Sequence, residues 1–161
     1  MGVSNNAYLA FGVDLGEDAF QDEDFDLEDF LLKRAEVNDP YTGYPPEIDQ
    51  APYPDRDRLY NEWKATQPNW DERVKTYFEQ RDALIKACPV EIIIHCSYDY
   101  PMYILALRDT DVSAARGYPK VIDPAALKVD PARIEEAKEF CKDADLPAFD
   151  DPQWLIFSQN G

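Results

Sequence analysis

Apolar and β-branched runs along the chain predict the strands of a small sheet. Residues 7–13 are apolar and aromatic-rich and end in turn residues at Asp14–Gly16, which is typical of a strand that enters a turn. Two further runs flank Tyr98–Pro101, and this spacing predicts a hairpin over about 90–108 with a four-residue loop. The predicted strands are residues 7–13, 90–97, 102–108, 112–115 and 153–158.

Helical periodicity and capping residues predict three helices. A short acidic helix is expected over about 26–37, because Leu27, Phe30 and Leu31 keep helical spacing. The apolar positions from Val74 to Cys88 also fall close to one helical face, and Pro89 ends that helix. Asp-Pro pairs at 123–124 and 130–131 each supply a cap followed by proline, and the second predicts a helix through about residue 143.

Between these elements, residues 38–58 form a Tyr/Pro-rich segment that we interpret as an extended insert. Its five prolines disfavour a helix or a central strand. Its tyrosines favour packing on a surface, and the sequence leaves open which surface and whether the segment is ordered. The predicted fold is a single α+β domain over residues 1–161, with an antiparallel or mixed sheet, a central hairpin and helices on one face.

Charge narrows the classes of partner. The 161 residues include 33 Asp and Glu against 16 Lys and Arg, a net charge of -17. This charge repels nucleic-acid phosphates and anionic lipid, so we expect neither direct nucleic-acid binding nor membrane binding. Three widely spaced cysteines without a Cys-x-x-Cys pair indicate reduced thiols and a cytoplasmic location, and homodimer formation is left open. The same charge could instead serve solubility alone.

The acidic residues are concentrated after the first predicted strand. Nine of them lie between Asp14 and Asp29, and no Lys or Arg precedes Lys33. An EF-hand is excluded, because Leu27 and Lys33 occupy the positions that require glycine and glutamate. We therefore expect a protein-binding surface in this segment. Its predicted residues are Asp18, Asp22, Glu23, Asp24, Asp26, Glu28 and Asp29.

No catalytic set emerges from the remaining residues. His95 is the one histidine, and alternation along a strand places it on the opposite face from Cys96, so the two are not expected to form a dyad. We interpret Cys96 as a small core residue and His95 as a structural histidine, with a lone general base as the alternative. His95, Arg116 and Tyr118 are candidates for an anion or ligand site. We predict no catalytic residues, no metal site and no cofactor.

Three short motifs resemble a group of small bacteriophage-encoded proteins of unknown function. They are Asp14–Glu17 (DLGE) with the strand before it, His95–Pro101 (HCSYDYP) and Arg116–Lys120 (RGYPK). The resemblance covers the first strand and the stretch from about residue 90 to residue 123, and it leaves the Tyr/Pro-rich insert unmatched. It implies a phage origin, with the host cell cytoplasm as the location, and it implies no activity.

The leading hypothesis is a non-enzymatic, phage-encoded protein whose acidic surface binds a basic surface on a host protein. A nucleic-acid-binding surface is one such target, and the protein would then act as a DNA mimic or inhibitor in host takeover. A first alternative is a small metal-dependent phosphoesterase that uses the strand-end carboxylates Asp14, Glu17 and Asp99, with His95 as acid or base. A second alternative is a virion or assembly component.

Overall fold

The computed structural model of the chain describes residues 5–17, 19, 26–97 and 100–160. Over these residues it contains five α-helices and five β-strands, which confirms the predicted α+β fold class. The helices are α1 (Leu27–Arg34), α2 (Pro46–Gln50), α3 (Asp55–Ala65), α4 (Trp70–Ala87) and α5 (Pro131–Asp143). The strands are β1 (Asn5–Gly16), β2 (Val90–Ser97), β3 (Tyr100–Leu107), β4 (Val112–Ala114) and β5 (Gln153–Asn160).

Contacts divide the chain into two compact units. The sheet unit comprises residues 1–27 and 88–161, and the helical unit comprises residues 28–87. The sheet unit carries 20 of the acidic and 7 of the basic residues, whereas the helical unit carries 13 and 9. The excess negative charge therefore belongs mainly to the sheet unit. That the chain is one domain stays a prediction.

The sheet is built on β1, the long first strand. Along one edge β1 pairs antiparallel with β5, from Asn5↔Asn160 to Gly12↔Gln153. It also pairs antiparallel with β4 near its start and with β3 near its end. A single parallel contact, Cys96↔Gln159, joins β2 to β5. The sheet is thus predominantly antiparallel.

The predicted hairpin is present as β2 and β3. Pairing runs from Val90↔Leu107 to Ser97↔Tyr100. β3 therefore begins two residues earlier than expected, and the predicted four-residue loop is wrong. The residues between the strands, Tyr98 and Asp99, lie outside the described part of the chain.

Buried side chains lie on both faces of the hairpin, which explains why β3 reads as a nearly continuous apolar run. Ile104 and Ala106 belong to a core cluster with Ala10 and Phe157. At the alternate positions of β3, Leu105 and Leu107 are also fully buried. A strand covered on both faces loses the apolar/polar alternation of a half-exposed strand.

The helix α5 forms as its capping residue predicts, and two arginines connect it to the hairpin by hydrogen bonds to backbone carbonyls. Asp130 accepts a hydrogen bond from the Ala132 amide at 2.9 Å. Arg133 of α5 donates to the Arg108 carbonyl, and Arg108 donates through its guanidinium to the Cys88 and Val90 carbonyls at 2.8 and 3.0 Å. These bonds join the first turn of α5 to the ends of both hairpin strands.

The helical unit shows where the tyrosines of the Tyr/Pro-rich insert pack. Tyr41 and Tyr44 contact Trp70 and Trp63 edge to face, with ring centroids 5.2 and 5.1 Å apart, and the two tryptophans contact each other at 4.9 Å. Tyr60 joins the same cluster. Because Trp63 lies on α3 and Trp70 on α4, these two helices form the surface on which the insert packs. Aromatic pairs of this kind add stabilisation beyond simple burial.

The insert also differs from the extended segment that its prolines predict. It contains the one-turn helix α2, and α3 begins within it at Asp55. Both helices start beside proline: Pro46 occupies the first turn of α2, and Pro54 caps α3. Proline is tolerated at these positions, because the first turn of a helix leaves its backbone N–H groups without intrahelical partners.

Candidate functional site

The structure describes three of the seven acidic residues predicted to bind a partner. Asp26 and Asp29 are exposed, immediately before α1 and in its first turn. Glu28 is half-buried. The other four predicted residues, Asp18, Asp22, Glu23 and Asp24, lie outside the described part of the chain.

Glu28 is held within the helical unit by Arg81 of α4. The guanidinium contacts both carboxylate oxygens, Nε to Oε1 and Nη2 to Oε2, the second at 2.8 Å. The two side chains are 35% and 31% exposed, so the pair is partly shielded from water. Its hydrogen bond to Glu28 raises the pKa of Arg81. A bidentate pair of this kind makes Glu28 less available to an external cation.

A second acidic surface lies on and after α5, where the sequence analysis predicted only a helix. Buried Ala137 and Cys141 define the inner face of α5. Four acids project from the other side within about 100° of the helix circumference. We use the name α5 acidic surface for these four and the three acids that follow, all of which are exposed: Glu135, Glu136, Glu139, Asp143, Asp145, Asp150 and Asp151.

The pKa of Lys138 is raised by acids of this surface. Its ammonium group donates to the Glu135 carboxylate at 2.9 Å. The pKa of Lys138 is raised first by that hydrogen bond and then by the charge of Glu135, and Asp150 and Asp151 raise it further. Asp150 and Asp151 therefore act on the same ammonium group as Glu135, although the three acids are spread along the sequence.

A signal for this surface was present in the sequence. Glu135, Glu139 and Asp143 repeat every four residues, which places them along one side of a helix. Interspersed Lys138 and Lys142 make this stretch less acidic in sequence than the base-free segment 14–29. The helix separates the two kinds of side chain, since the lysines lie toward one edge of the acidic arc.

His95 and Cys96 are in contact, which corrects two sequence-based expectations. The Cys96 Sγ lies 3.2 Å from the His95 Nδ1. Cys96 has a φ of 71°, in the left-handed region, so the strand no longer sends successive side chains to opposite faces. Cys96 is also half-exposed instead of buried in the core. The predicted absence of a dyad was therefore wrong, because it assumed regular strand geometry up to Ser97.

The three candidates for an anion or ligand site lie on separate elements. His95 is on β2, where its ring contacts Phe157 of β5 at a centroid distance of 5.1 Å. Arg116 and Tyr118 follow β4, which lies on the far side of β1 from β5. Tyr118 is 78% exposed. A site shared by the three residues stays a prediction.

The predicted phosphoesterase site is described only in part. Asp14 accepts a hydrogen bond from the Gly16 amide at 2.9 Å, which is a turn-stabilising role, and Glu17 is exposed. Asp99 lies outside the described residues. Within residues 5–17, 19, 26–97 and 100–160, no group of three or more His, Cys, Asp or Glu side chains is arranged to hold a metal ion.

Glu91 has a partly buried carboxyl group. Among the described residues, its Oε1 is buried and has no hydrogen-bond partner. Burial is the main cause of its raised pKa, the negative charges of Asp111 and Asp109 add to the shift, and the positive charge of Arg108 opposes it. Because the folded state favours the protonated acid, ionised Glu91 reduces stability at neutral pH.

We expect Glu91→Gln to raise the melting temperature at pH 7 and to leave it nearly unchanged at about pH 4, near the ordinary Glu pKa. The folded-state pKa is raised, so the penalty is present above that pKa and disappears as the pH falls through it. Thermal melts of both proteins across this pH range test the expectation. Glu136→Gln, at an exposed position, is the matched control. An equal gain at both pH values would contradict the electrostatic explanation.

None of the helices in the described part of the chain is both long and apolar enough to cross a membrane. The phage resemblance of the three motifs stays a prediction. Comparison with protein-family models, with curated proteins and with solved structures finds no match to this chain.

Proposed function

We propose that the protein is a non-enzymatic, phage-encoded interaction protein whose acidic surface binds a basic surface of a host protein. The observation that carries this proposal is the α5 acidic surface: its seven carboxylates are exposed, four of them lie along one side of α5, and Asp150 and Asp151 act on the same ammonium group as Glu135. Residues 14–27 of the base-free segment 14–29 belong to the same unit as α5 and add further negative charge to it. Such a surface attracts clustered Lys and Arg on a partner.

The positions of these acids indicate a role beyond the stability of the helix. The first turn of α5, where negative charge would stabilise the helix dipole, contains no acidic residue. Asp143 and Asp145 instead lie at its C-terminal end, where each negative charge costs about 0.3–1 kcal/mol. An external basic partner would offset this cost. Solubility alone would be served equally well by acids at the N-terminal end.

A nucleic-acid-binding protein is the target that this geometry favours. Acids on successive turns of a helix repeat about every 5.4 Å, so α5 presents a row of closely spaced negative charges. Lys and Arg that neutralise DNA phosphates are complementary to such a row. In this form of the proposal, the protein occupies the DNA-binding surface of its partner and competes with DNA.

Affinity capture from a bacterial lysate tests the proposal. Three proteins and a mock resin are compared at low and high salt. The proteins are the wild type, the variant E135Q/E136Q/E139Q/D143N and the control E36Q/E47Q/D57N/E72Q. The control neutralises the same number of exposed acids in the helical unit. We expect a basic protein to be retained by the wild type and the control at low salt and to be lost at high salt.

Neutralisation of the α5 quartet should abolish that retention. Recovery of no basic protein at low salt, or equal recovery with the α5 quartet and the wild type, would contradict the proposal. Circular dichroism of both quartets establishes that any loss of binding is not a loss of fold, since surface substitutions of this kind have small effects on stability.

A further inference from the structure

The contact between His95 and Cys96 is the feature of the sheet unit that the proposed function does not use. Regular strand geometry would separate neighbouring side chains onto opposite faces. The left-handed φ of 71° at Cys96 is unusual for a residue with a Cβ and brings its Sγ to 3.2 Å from the imidazole. Backbone conformations of this cost are found preferentially at functional sites.

The other two cysteines of the chain lie in environments that suppress reactivity. Cys88 and Cys141 are 3% and 0% exposed. Burial raises the pKa of Cys141 to about 11, and Cys88 donates its thiol hydrogen to the Val90 carbonyl at 3.2 Å. A thiol reacts as the thiolate and must be reached by its reagent. Cys96 is only half-buried, and its Sγ lies beside an imidazole that can accept the thiol proton.

His95 is the base in the immediate surroundings of this thiol. The strand partners of the pair are Pro101 and Met102 on β3 and Gln159 on β5, none of which carries a charge. The second imidazole nitrogen, Nε2, is buried and has no hydrogen-bond partner among the described residues. The Cys96 thiol lies within hydrogen-bond reach of Nδ1 and can pass its proton to that nitrogen.

We propose that Cys96 is a thiol-modification site that forms mixed disulfides with small disulfides, with His95 as the proton acceptor. The Cys96 Sγ attacks one sulfur of R–S–S–R, a new Sγ–S bond forms, and the R–S–S–R bond breaks. The thiol proton moves to His95 Nδ1 and then to the departing thiolate, which leaves as RSH. The disulfide is both the reagent and the oxidant, so no further redox partner is required.

Charge defines the class of disulfide. The chain carries a net charge of -17, which lowers the local concentration of anionic reagents and raises that of cationic ones. The cationic disulfide cystamine should therefore react faster than neutral 2-hydroxyethyl disulfide, and the anionic glutathione disulfide should react slowest. This order should shrink as salt screens the charges.

The test is a rate measurement with these three reagents on the full chain, with the modified cysteine identified by mass spectrometry. In the folded protein we expect Cys96 to react at least about tenfold faster than Cys88 or Cys141, and in urea we expect the three rates to converge. His95→Gln should slow the reaction of Cys96 about tenfold at pH 7. The pH profile of the reaction should differ between the two proteins, because His95 is the proton acceptor in the wild type.

Several results would overturn the proposal. Equal rates for the three cysteines in the folded protein would show that Cys96 is not a privileged site. An unchanged Cys96 rate and pH profile in a folded His95→Gln variant would remove His95 from the reaction. Faster reaction with glutathione disulfide than with cystamine would exclude the charge selectivity. Because this experiment needs no protein partner, its outcome is independent of the proposed function.

Discussion

A Gly12→Ala variant is expected to lose about 3 kcal/mol or more of unfolding free energy. Gly12 lies where β1 pairs with β5 on one side and with β3 on the other. A Cβ at this position would contact the Leu105 carbonyl oxygen and would approach the Ala106 Cα to 2.8 Å. Both are backbone atoms of a central strand, so no side-chain rotation can relieve the overlap. Urea denaturation followed by circular dichroism measures the loss.

Gly43→Ala is the control for this variant. Gly43 has a φ of 83°, and nothing lies within 4 Å of the added Cβ. Alanine there costs only the strain of a left-handed backbone, about 1–2 kcal/mol. A Gly12→Ala loss no larger than that of Gly43→Ala would show that β1 and β3 are not packed as closely as described.

The second large effect is expected for Arg108→Met. Arg108 donates to the Cys88 and Val90 carbonyls, and its own carbonyl accepts from Arg133. Methionine keeps much of the packing volume but leaves two carbonyl oxygens without the donors that the guanidinium supplies. We expect a loss of about 3 kcal/mol in unfolding free energy, measured by urea denaturation, because hydrogen bonds from a charged donor are among the stronger ones.

Arg108→Lys separates charge from geometry. Lysine keeps the positive charge near Glu91 but lacks the planar guanidinium that reaches two carbonyls at once. The unfolding free energy of Arg108→Lys should fall between those of the wild type and Arg108→Met. A methionine variant within about 1 kcal/mol of the wild type would mean that water replaces the guanidinium as donor at both carbonyls.

Elements with a strong local signal could be predicted from the sequence. The helix α5 follows from Asp130 as its cap, Pro131 at its first position and the spacing of its apolar residues, and it begins and ends at the predicted residues. The hairpin of β2 and β3 follows from two apolar runs around a turn. In these places the chemistry that fixes the element is contained within a few neighbouring residues.

Features that depend on distant contacts could not be predicted. The helix α3 was missed because Pro52 and Pro54 read as breakers, whereas the second caps the helix. The packing of Tyr41 and Tyr44 on tryptophans 29 and 19 residues away has no local signature. The left-handed backbone of Cys96, whose Sγ contacts the neighbouring His95, likewise has no sequence pattern.

The candidate site shifted for the same reason. Local composition directs attention to the acids between Asp14 and Asp29, of which Glu28 is engaged by Arg81. The helix and the chain after it gather a second group of acids whose members are separated by lysines in the sequence. Charge in a folded protein is distributed by three-dimensional position, so the four-residue repeat of acids in α5 can be found in the sequence, whereas the action of Asp150 and Asp151 on the same region follows from the structure.

Competition binding tests the central claim most directly. The association of the purified protein with the basic host protein that it captures is measured across a salt series, with and without duplex DNA. We predict that binding weakens steeply with salt, that DNA competes, and that E135Q/E136Q/E139Q/D143N binds at least about tenfold more weakly at low salt. The control E36Q/E47Q/D57N/E72Q should stay within about twofold of the wild type. Salt-insensitive binding, or equal losses in the two quartets, would contradict the claim that the α5 acidic surface is the binding surface.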